Sequence, residues 1–224
     1  MCGRFVRVSL LDVIQELFEL ADIACDVPPS YNITPTQQLA AIVHEGHARR
    51  LVSLRWGLIP PWAKDASIGN KLINARAETL AQKPSFRNAF KRRRCLIVAD
   101  GFYEWRKTDT RKVPMYIHLR SGQPFGFAGL FERWTSPEGI PIDTCTIITT
   151  GPNDLMHSIH HRMPVILSRE QHALWLDPAV EDERRLLPVL QAYPAEEMDA
   201  YEVSRLVNSP TYNSPLCLEP VPHT

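Results

Sequence analysis

With 224 residues, 44% of them hydrophobic and 22% charged, the chain can bury a sizeable core and has a globular rather than a disordered or fibrous composition. No apolar run approaches the roughly 18 residues that span a bilayer, and no basic-then-apolar leader opens the chain, so a cytoplasmic protein without membrane attachment is expected. The formal net charge of +0 hides an asymmetry: residues 177–202 hold eight acidic side chains against two arginines, leaving the remainder basic.

In chain order, LLDVIQELFEL places Leu10, Val13, Ile14, Leu17 and Phe18 on one face of a helix, with Ser9 as its expected cap. DVPPSYNITP reads as a proline-rich loop, because Pro28, Pro29 and Pro35 oppose regular pairing. QLAAIVH and RRLVSLRWGL form two strands around a turn at Gly46, and KLINARAETLA enters a short helix near Ala75 to Ala81. CLIVAD, FYEWRK, VPMYIHL, FGFAGLFERW and DTCTIITT are strands, rich in β-branched and aromatic residues and separated by turn formers. DLMHSI is a short helix, MPVIL a strand, and SREQHALWL a helix capped by Ser168. An acidic helical segment over 177–202 and an extended, proline-containing tail over 208–224 complete the chain. The expected fold is one α+β domain over residues 1–224, with a largely antiparallel, barrel-like sheet flanked by short helices.

The five cysteines, Cys2, Cys25, Cys95, Cys145 and Cys217, are widely spaced and include no CxxC pair, which argues against a zinc ribbon or a disulfide framework. Cys95 and Cys145 sit in apolar strand runs and read as core. Cys2 differs. If Met1 is removed, it presents a thiol and a free α-amine on adjacent carbons, and an α-amine of pKa about 7.7–8.0 is partly neutral near pH 7. Such an aminothiol can attack an aldehyde through nitrogen and close a five-membered ring through sulfur. Alternatively, the amine can act as base for the thiol in amide hydrolysis, or the terminus can be chemically idle.

Three other polar features interrupt apolar runs. In LINARAET, Asn74, Arg76 and Glu78 alternate on one side of an extended chain, although Asn74 also suits a helix cap. In VADGFYEWRK, Glu104 stands between Tyr103 and Trp105 and, facing a cavity, would be placed to shuttle protons. In HSIHHRMP, the spacing of His157, His160 and His161 fits no standard zinc pattern, and a single acid-base histidine beside Arg162 suits it better. Trp56, Trp62 and Trp105 together with Arg4, Arg55, Arg76 and Arg162 combine stacking faces with guanidiniums, a mixture suited to single-stranded nucleic acid. Basic clusters at Arg49-Arg50, Lys91 to Arg94, Arg106-Lys107 and Arg111-Lys112 admit a polyanionic partner or form solvated faces.

The blocks MCGRF, YNITP, RWGLIPPWAKD, INARAET, CLIVADGFYEW, GLFERW, TIITT before HSIHHRMPVIL, and a VS…VN…P tail run in order from Met1 to about Val221. In this the chain resembles the SOS-response-associated peptidase (SRAP) family. The resemblance implies a DNA-associated sensor and shield of abasic sites in single-stranded DNA, acting as a monomer without metal or cofactor. It implies that Cys2, exposed by Met1 removal, condenses with the ring-opened sugar aldehyde to a thiazolidine. Asn74 would position the N-terminus or bind the sugar, Glu104 would serve ring opening and reversal, and His160 would assist Schiff-base chemistry. Arg4, Arg76 and Arg162 would bind phosphates, Trp105 would contact the strand, and Asn32, Pro35 and Trp62 would line or wedge the DNA channel. Some relatives carry Asp and Arg where this chain has His161 and Met163, which leaves the roles of those two positions open. Rival readings are a glutamine amidotransferase of the N-terminal-cysteine class, a thiol peptidase acting on other proteins, and a non-catalytic single-stranded DNA-binding module. A basic Arg4 beside the nucleophile suits a phosphate better than a glutamine side chain.

Overall fold

The apolar runs of the sequence become strands that close on themselves. The computed structural model describes residues 2–222. Strand β1 (Phe5–Arg7) leads into helix α1 (Leu11–Phe18), followed by β2 (Leu20–Ile23), β3 (Ser30–Ile33), β4 (Gln38–Glu45) and β5 (Ala48–Trp56). A long excursion ends on β6 (Asn74–Arg76), and α2 (Arg87–Arg92) precedes β7 (Arg94–Ala99) and β8 (Gly101–Lys107). Strands β9 (Lys112–Leu119), β10 (Phe125–Thr135) and β11 (Pro141–Thr150) follow in sequence. The remainder holds α3 (Asp154–His157), β12 (Met163–Pro164), β13 (Ile166–Leu167), α4 (Arg169–Leu176), α5 (Glu183–Leu186) and β14 (Met198–Glu202).

Antiparallel pairing joins β5 to β4, β4 to β7, β7 to β10 and β10 to β11. Strand β11 then lies parallel to β5, with Cys145 opposite Trp56, and closes a five-stranded barrel. Closure removes the exposed edges that an open sheet would carry. Side chains alternate across the wall. Leu39, Ala41, Val43, Cys95, Ile97, Cys145 and Ile147 share one apolar cluster with Phe5, Phe102 and Ile117. Their chain neighbours Ala40, Ile42, Leu96, Val98 and Ile148 belong to a second cluster under Ile14 and Phe18 of α1, Phe90 of α2 and Trp175 of α4. A second sheet, in the order β14-β9-β8-β1-β3, carries the N-terminus. The fold is therefore a single α+β domain built on a closed, mostly antiparallel barrel. No helix among the described residues is long and apolar enough to cross a membrane.

Several local expectations are corrected. Ser9 does not cap α1: its amide donates to Asp100 Oδ2 at 3.0 Å and its hydroxyl to Oδ1, while Leu10 holds the cap position without a side-chain bond. The proline-rich loop contains β3, which pairs with β1 because Pro28, Pro29 and Pro35 flank the strand rather than interrupt it. The helix expected from Ala75 to Ala81 is strand β6 followed by a 3-10 turn at Ala77–Thr79, since Asn74, Ala75 and Arg76 add to β11 in parallel. The acidic stretch 177–202 is helical only in short turns and ends as β14, whose residues alternate in pairing with β9. The tail is not uniformly extended; 3-10 turns at Arg205–Asn208 and Pro215–Cys217 fold it back over the second sheet.

The acidic stretch explains the charge asymmetry. Glu181 pairs with Arg92 at 2.9 Å, Asp199 with Arg120 at 3.5 Å, and Glu202 with Arg106 and Arg111 at 3.8 and 3.9 Å. Arg94 is buried and donates to the carbonyls of Trp175 (2.6 Å), Phe90 (2.8 Å), Val180 (2.9 Å), Lys91 and Asp177. Burial pushes its pKa down to about 10, and only this carbonyl cage makes a guanidinium tolerable there. The Lys91 to Arg94 cluster, one candidate polyanion surface, is thus largely taken up by the fold.

Candidate active site

Four elements bring Cys2, Asn74, Glu104 and His160 together. Strand β1 runs antiparallel to β8, with Phe5 opposite Phe102, and the Tyr103 amide donates to the Arg4 carbonyl at 3.0 Å. This register carries the N-terminus along β8 toward Glu104. Phe5 packs edge-on against Trp56 (5.2 Å) and Phe127 (5.8 Å), so the segment bearing Cys2 rests on a rigid aromatic floor.

Asn74 arrives on β6. The excursion before it begins at Gly57, whose φ of +122° and contact with Gly69 exclude a side chain; a Cβ there would lie 2.7 Å from the Gly69 carbonyl oxygen. Trp56 Nε1 donates to the Ile73 carbonyl at 2.9 Å and fixes the residue before Asn74. Asn74 Nδ2 then donates to the Cys2 carbonyl at 2.8 Å. Its Oδ1 is buried with no hydrogen-bond partner among the described residues.

Cys2 is fully buried. Burial first, and the nearby Glu104 carboxylate second, push its thiol pKa well above the ordinary value, so the sulfur is held protonated. Glu104 is itself 3% exposed, and its Oε1 lies 4.0 Å from His160 Nδ1. The turn after α3 positions His160, whose amide donates to the Met156 carbonyl at 2.8 Å. His160 Nδ1 faces both the Arg162 carbonyl, at 3.0 Å, and the Arg162 amide, at 3.1 Å. A protonated Nδ1 donates to the carbonyl, and a bare Nδ1 accepts from the amide. Nδ1 therefore has a partner whether or not it carries a hydrogen.

The other sequence candidates divide. Trp105, His161 and His160 line an open cleft of about 760 Å³ that reaches Glu104, together with Lys107, Lys112, His157 and Asn208. Arg76 is exposed two residues beyond Asn74, on the same face of β6. Trp62 is exposed and Pro35 half-buried, and neither lines this cleft. Arg162 donates to Glu78 Oε2 at 3.0 Å and to the Thr149 carbonyl at 2.6 Å, so its charge is already compensated within the site wall.

Arg4 and Asn32 both meet the C-terminal tail. Asn32 is 1% exposed, and its Nδ2 donates to the carbonyls of Tyr212 (2.8 Å), Ser209 (3.0 Å) and Val207 (3.3 Å). Arg4 donates to Asn32 Oδ1 (2.9 Å), the Val207 carbonyl (2.5 Å) and the Asn208 carbonyl (3.3 Å), with its guanidinium 5.9 Å from the Trp105 ring centre. Both side chains clasp the C-terminal tail. The two open positions also separate: Met163 is buried core, whereas His161 is exposed and stacks on His160 at 4.3 Å. The adjacent His160 holds the His161 pKa below its ordinary value.

This constellation has counterparts in known proteins. A family model described as SOS response associated peptidase (SRAP) matches residues 1–210. The chain belongs to the SRAP family. It is 53% identical over 222 residues to the abasic site processing protein YoqW of Bacillus subtilis (strain 168), covering 98% of this chain and 99% of that one. It is 32% identical to the abasic site processing protein HMCES of Gallus gallus, over 86% of this chain and 66% of the relative. Among solved structures, a protein from Bacteroides thetaiotaomicron shares the fold with a TM-score of 0.81 and 28% identity, covering 96% of this chain and 91% of that one.

Reading the sequence without the fold missed Lys107, Lys112 and Asn208 as cleft residues of this SRAP protein. The signals were the two Arg-Lys pairs bracketing Thr108 to Thr110, and the VN pair of the tail. Met1, whose removal the sequence leads one to expect, lies outside the described residues.

Proposed function

We propose that this protein captures abasic sites in single-stranded DNA through Cys2, acting as a cytoplasmic, DNA-associated monomer. The observation that carries the reading is the Asn74 clasp on the buried Cys2 carbonyl beside Glu104 and His160, in a chain 53% identical to an abasic site processing protein.

The order of steps follows from protonation. After Met1 is lost, the Cys2 α-amine, with an ordinary pKa of about 7.7–8.0, is partly neutral near pH 7 and adds first. As the ring opens to the aldehyde, a protonated Glu104 gives its proton to the ring oxygen and His160 takes the proton of the anomeric hydroxyl. The amine adds to the aldehyde carbon, and the resulting hydroxyl leaves as one water with the proton held by His160, giving an iminium. The thiol then adds to the same carbon while its proton passes to Glu104 or His160, which closes the thiazolidine. The net change is one carbon–nitrogen and one carbon–sulfur bond gained and one water released. Reversal uses the same two groups in the opposite sense. Burial around the linkage limits hydrolysis.

The test mixes the purified protein with a single-stranded oligonucleotide carrying one abasic site. A heat-resistant crosslinked band is expected on a denaturing gel. Intact mass should equal protein lacking Met1 plus DNA minus one water. If Cys2→Ala gives the same stable band, the reading fails.

A further inference from the structure

Several basic side chains of the described residues are neutralised by the fold, whereas Lys107 and Lys112 are not. Arg49 is held by Glu19, Arg50 by Asp22 and Glu45, and Arg106 and Arg111 share Glu202. Lys107 and Lys112 stand directly opposite one another at the end of the β8–β9 hairpin, both exposed, and neither has an ion-pair or hydrogen-bond partner among the described residues. Asp109, at the hairpin tip, pairs with neither. Like charges facing each other across antiparallel strands are destabilising, so the arrangement works against stability unless an anion bridges it.

Their position supplies the reason. Both lysines line the same cleft as Glu104, His157, His160 and His161. Trp105, two residues before Lys107 on the same strand face, forms part of its wall, and Trp105 Nε1 donates to Asn208 Oδ1 at 2.8 Å. At about 3.3 Å per strand residue, Lys107 stands roughly 10 Å along β8 from Glu104. At a rise of about 3.4 Å per nucleotide, that spans at most about three nucleotides.

We propose that Lys107 and Lys112 form a two-lysine clamp for a backbone phosphate of the single strand whose abasic sugar reaches Cys2. The clamp rests on the reading of Cys2 as the abasic-site nucleophile. It adds a binding subsite that sets the path of the strand through the cleft. Two ammonium groups converging on one phosphodiester remove their mutual repulsion and release counterions from the DNA. The interaction reads no base, so it serves any sequence that brings the lesion to the site.

The experiment measures fluorescence anisotropy of an intact 15-nucleotide oligo-dT across a salt series, for the wild type, Lys107→Gln/Lys112→Gln, and a charge-matched Lys83→Gln/Lys91→Gln control away from the cleft. Circular dichroism checks that each variant is folded. Loss of two phosphate-neutralising charges should reduce the slope of log K against log salt by about 1.4. The affinity lost between about 50 and 200 mM salt should then shrink by a factor of about seven, with the control matching the wild type. If the cleft variant keeps the wild-type slope and affinity, or if the control loses as much, the clamp is overturned. The abasic oligonucleotide is run alongside with the wild type. A stable crosslink together with an unchanged cleft-variant slope rejects the clamp and keeps the Cys2 chemistry. A reduced slope without any crosslink supports the clamp and rejects that chemistry.

Discussion

The side-chain amide of Asn74 donates to the carbonyl of Cys2 at 2.8 Å, while the oxygen of the same amide is buried without a partner among the described residues. One end of the amide holds the Cys2 carbonyl, and the other is buried with no donor among the described residues. Replacing Asn74 by Asp keeps the shape and removes the donor. The lost bond is worth about 1 kcal/mol, or roughly fivefold in rate, and misplacement of the nucleophile can raise the loss to about a hundredfold. Single-turnover crosslinking to an abasic oligonucleotide, with Tm measured in parallel, should show a fall of that size in a folded protein. A rate within twofold of wild type would remove Asn74 from the positioning machinery.

Glu104 and His160 should behave as a coupled pair, since Oε1 and Nδ1 are 4.0 Å apart across a buried boundary. Glu104→Gln preserves volume and removes proton transfer, so crosslink formation should slow by about a hundredfold or more. His160→Asn should slow it as well. The double variant should lose less than the product of the two single losses, because either change disables the same relay. Strictly multiplicative losses would mean that the two groups act independently.

The barrel was legible because its strands are long and apolar, and Cys2, Asn74, Glu104 and His160 because each interrupts such a run within a recognisable block. Strand β3 was hidden by prolines that sit at its ends, a distinction composition does not carry. The orientation of Arg4 and Asn32 was out of reach for a different reason. Each binds carbonyls far along the chain, at Val207, Asn208, Ser209 and Tyr212, and no local pattern says that the tail returns to cover them. Lys107 and Lys112 were visible as charges, but their facing register exists only once the hairpin has formed.

Asn32 provides a test of the tail clasp. Its Nδ2 serves three tail carbonyls and its Oδ1 accepts from Arg4. Asn32→Asp keeps the acceptor, removes the donors and sets a carboxylate against carbonyl oxygens. A loss of about 2–3 kcal/mol is expected in urea denaturation. Hydrogen exchange should quicken across residues 205–218, the tail that Asn32 and Arg4 clasp. Weaker DNA binding with unchanged stability and exchange would instead put Asn32 in the channel wall.

Far from the nucleophile, His172 sets an acid limit on the fold. The ring is 4% exposed, stacks on Phe18 at 5.3 Å, and places Nε2 3.2 Å from the Leu167 carbonyl, with Nδ1 buried and unpartnered among the described residues. Burial pushes its pKa down from 6.5 to about 4. Between those values the unfolded chain binds a proton that the native one excludes. The contribution to stability is therefore complete above about pH 6.5 and is lost as pH falls toward 4. Linkage over that window gives a loss of about 2 kcal/mol between pH 7 and pH 5. Urea denaturation at the two pH values should show this loss in the wild type. His172→Gln, which cannot titrate, should be less stable at pH 7 but should lose about 2 kcal/mol less than the wild type on acidification. Equal losses in both proteins would place the acid sensitivity elsewhere.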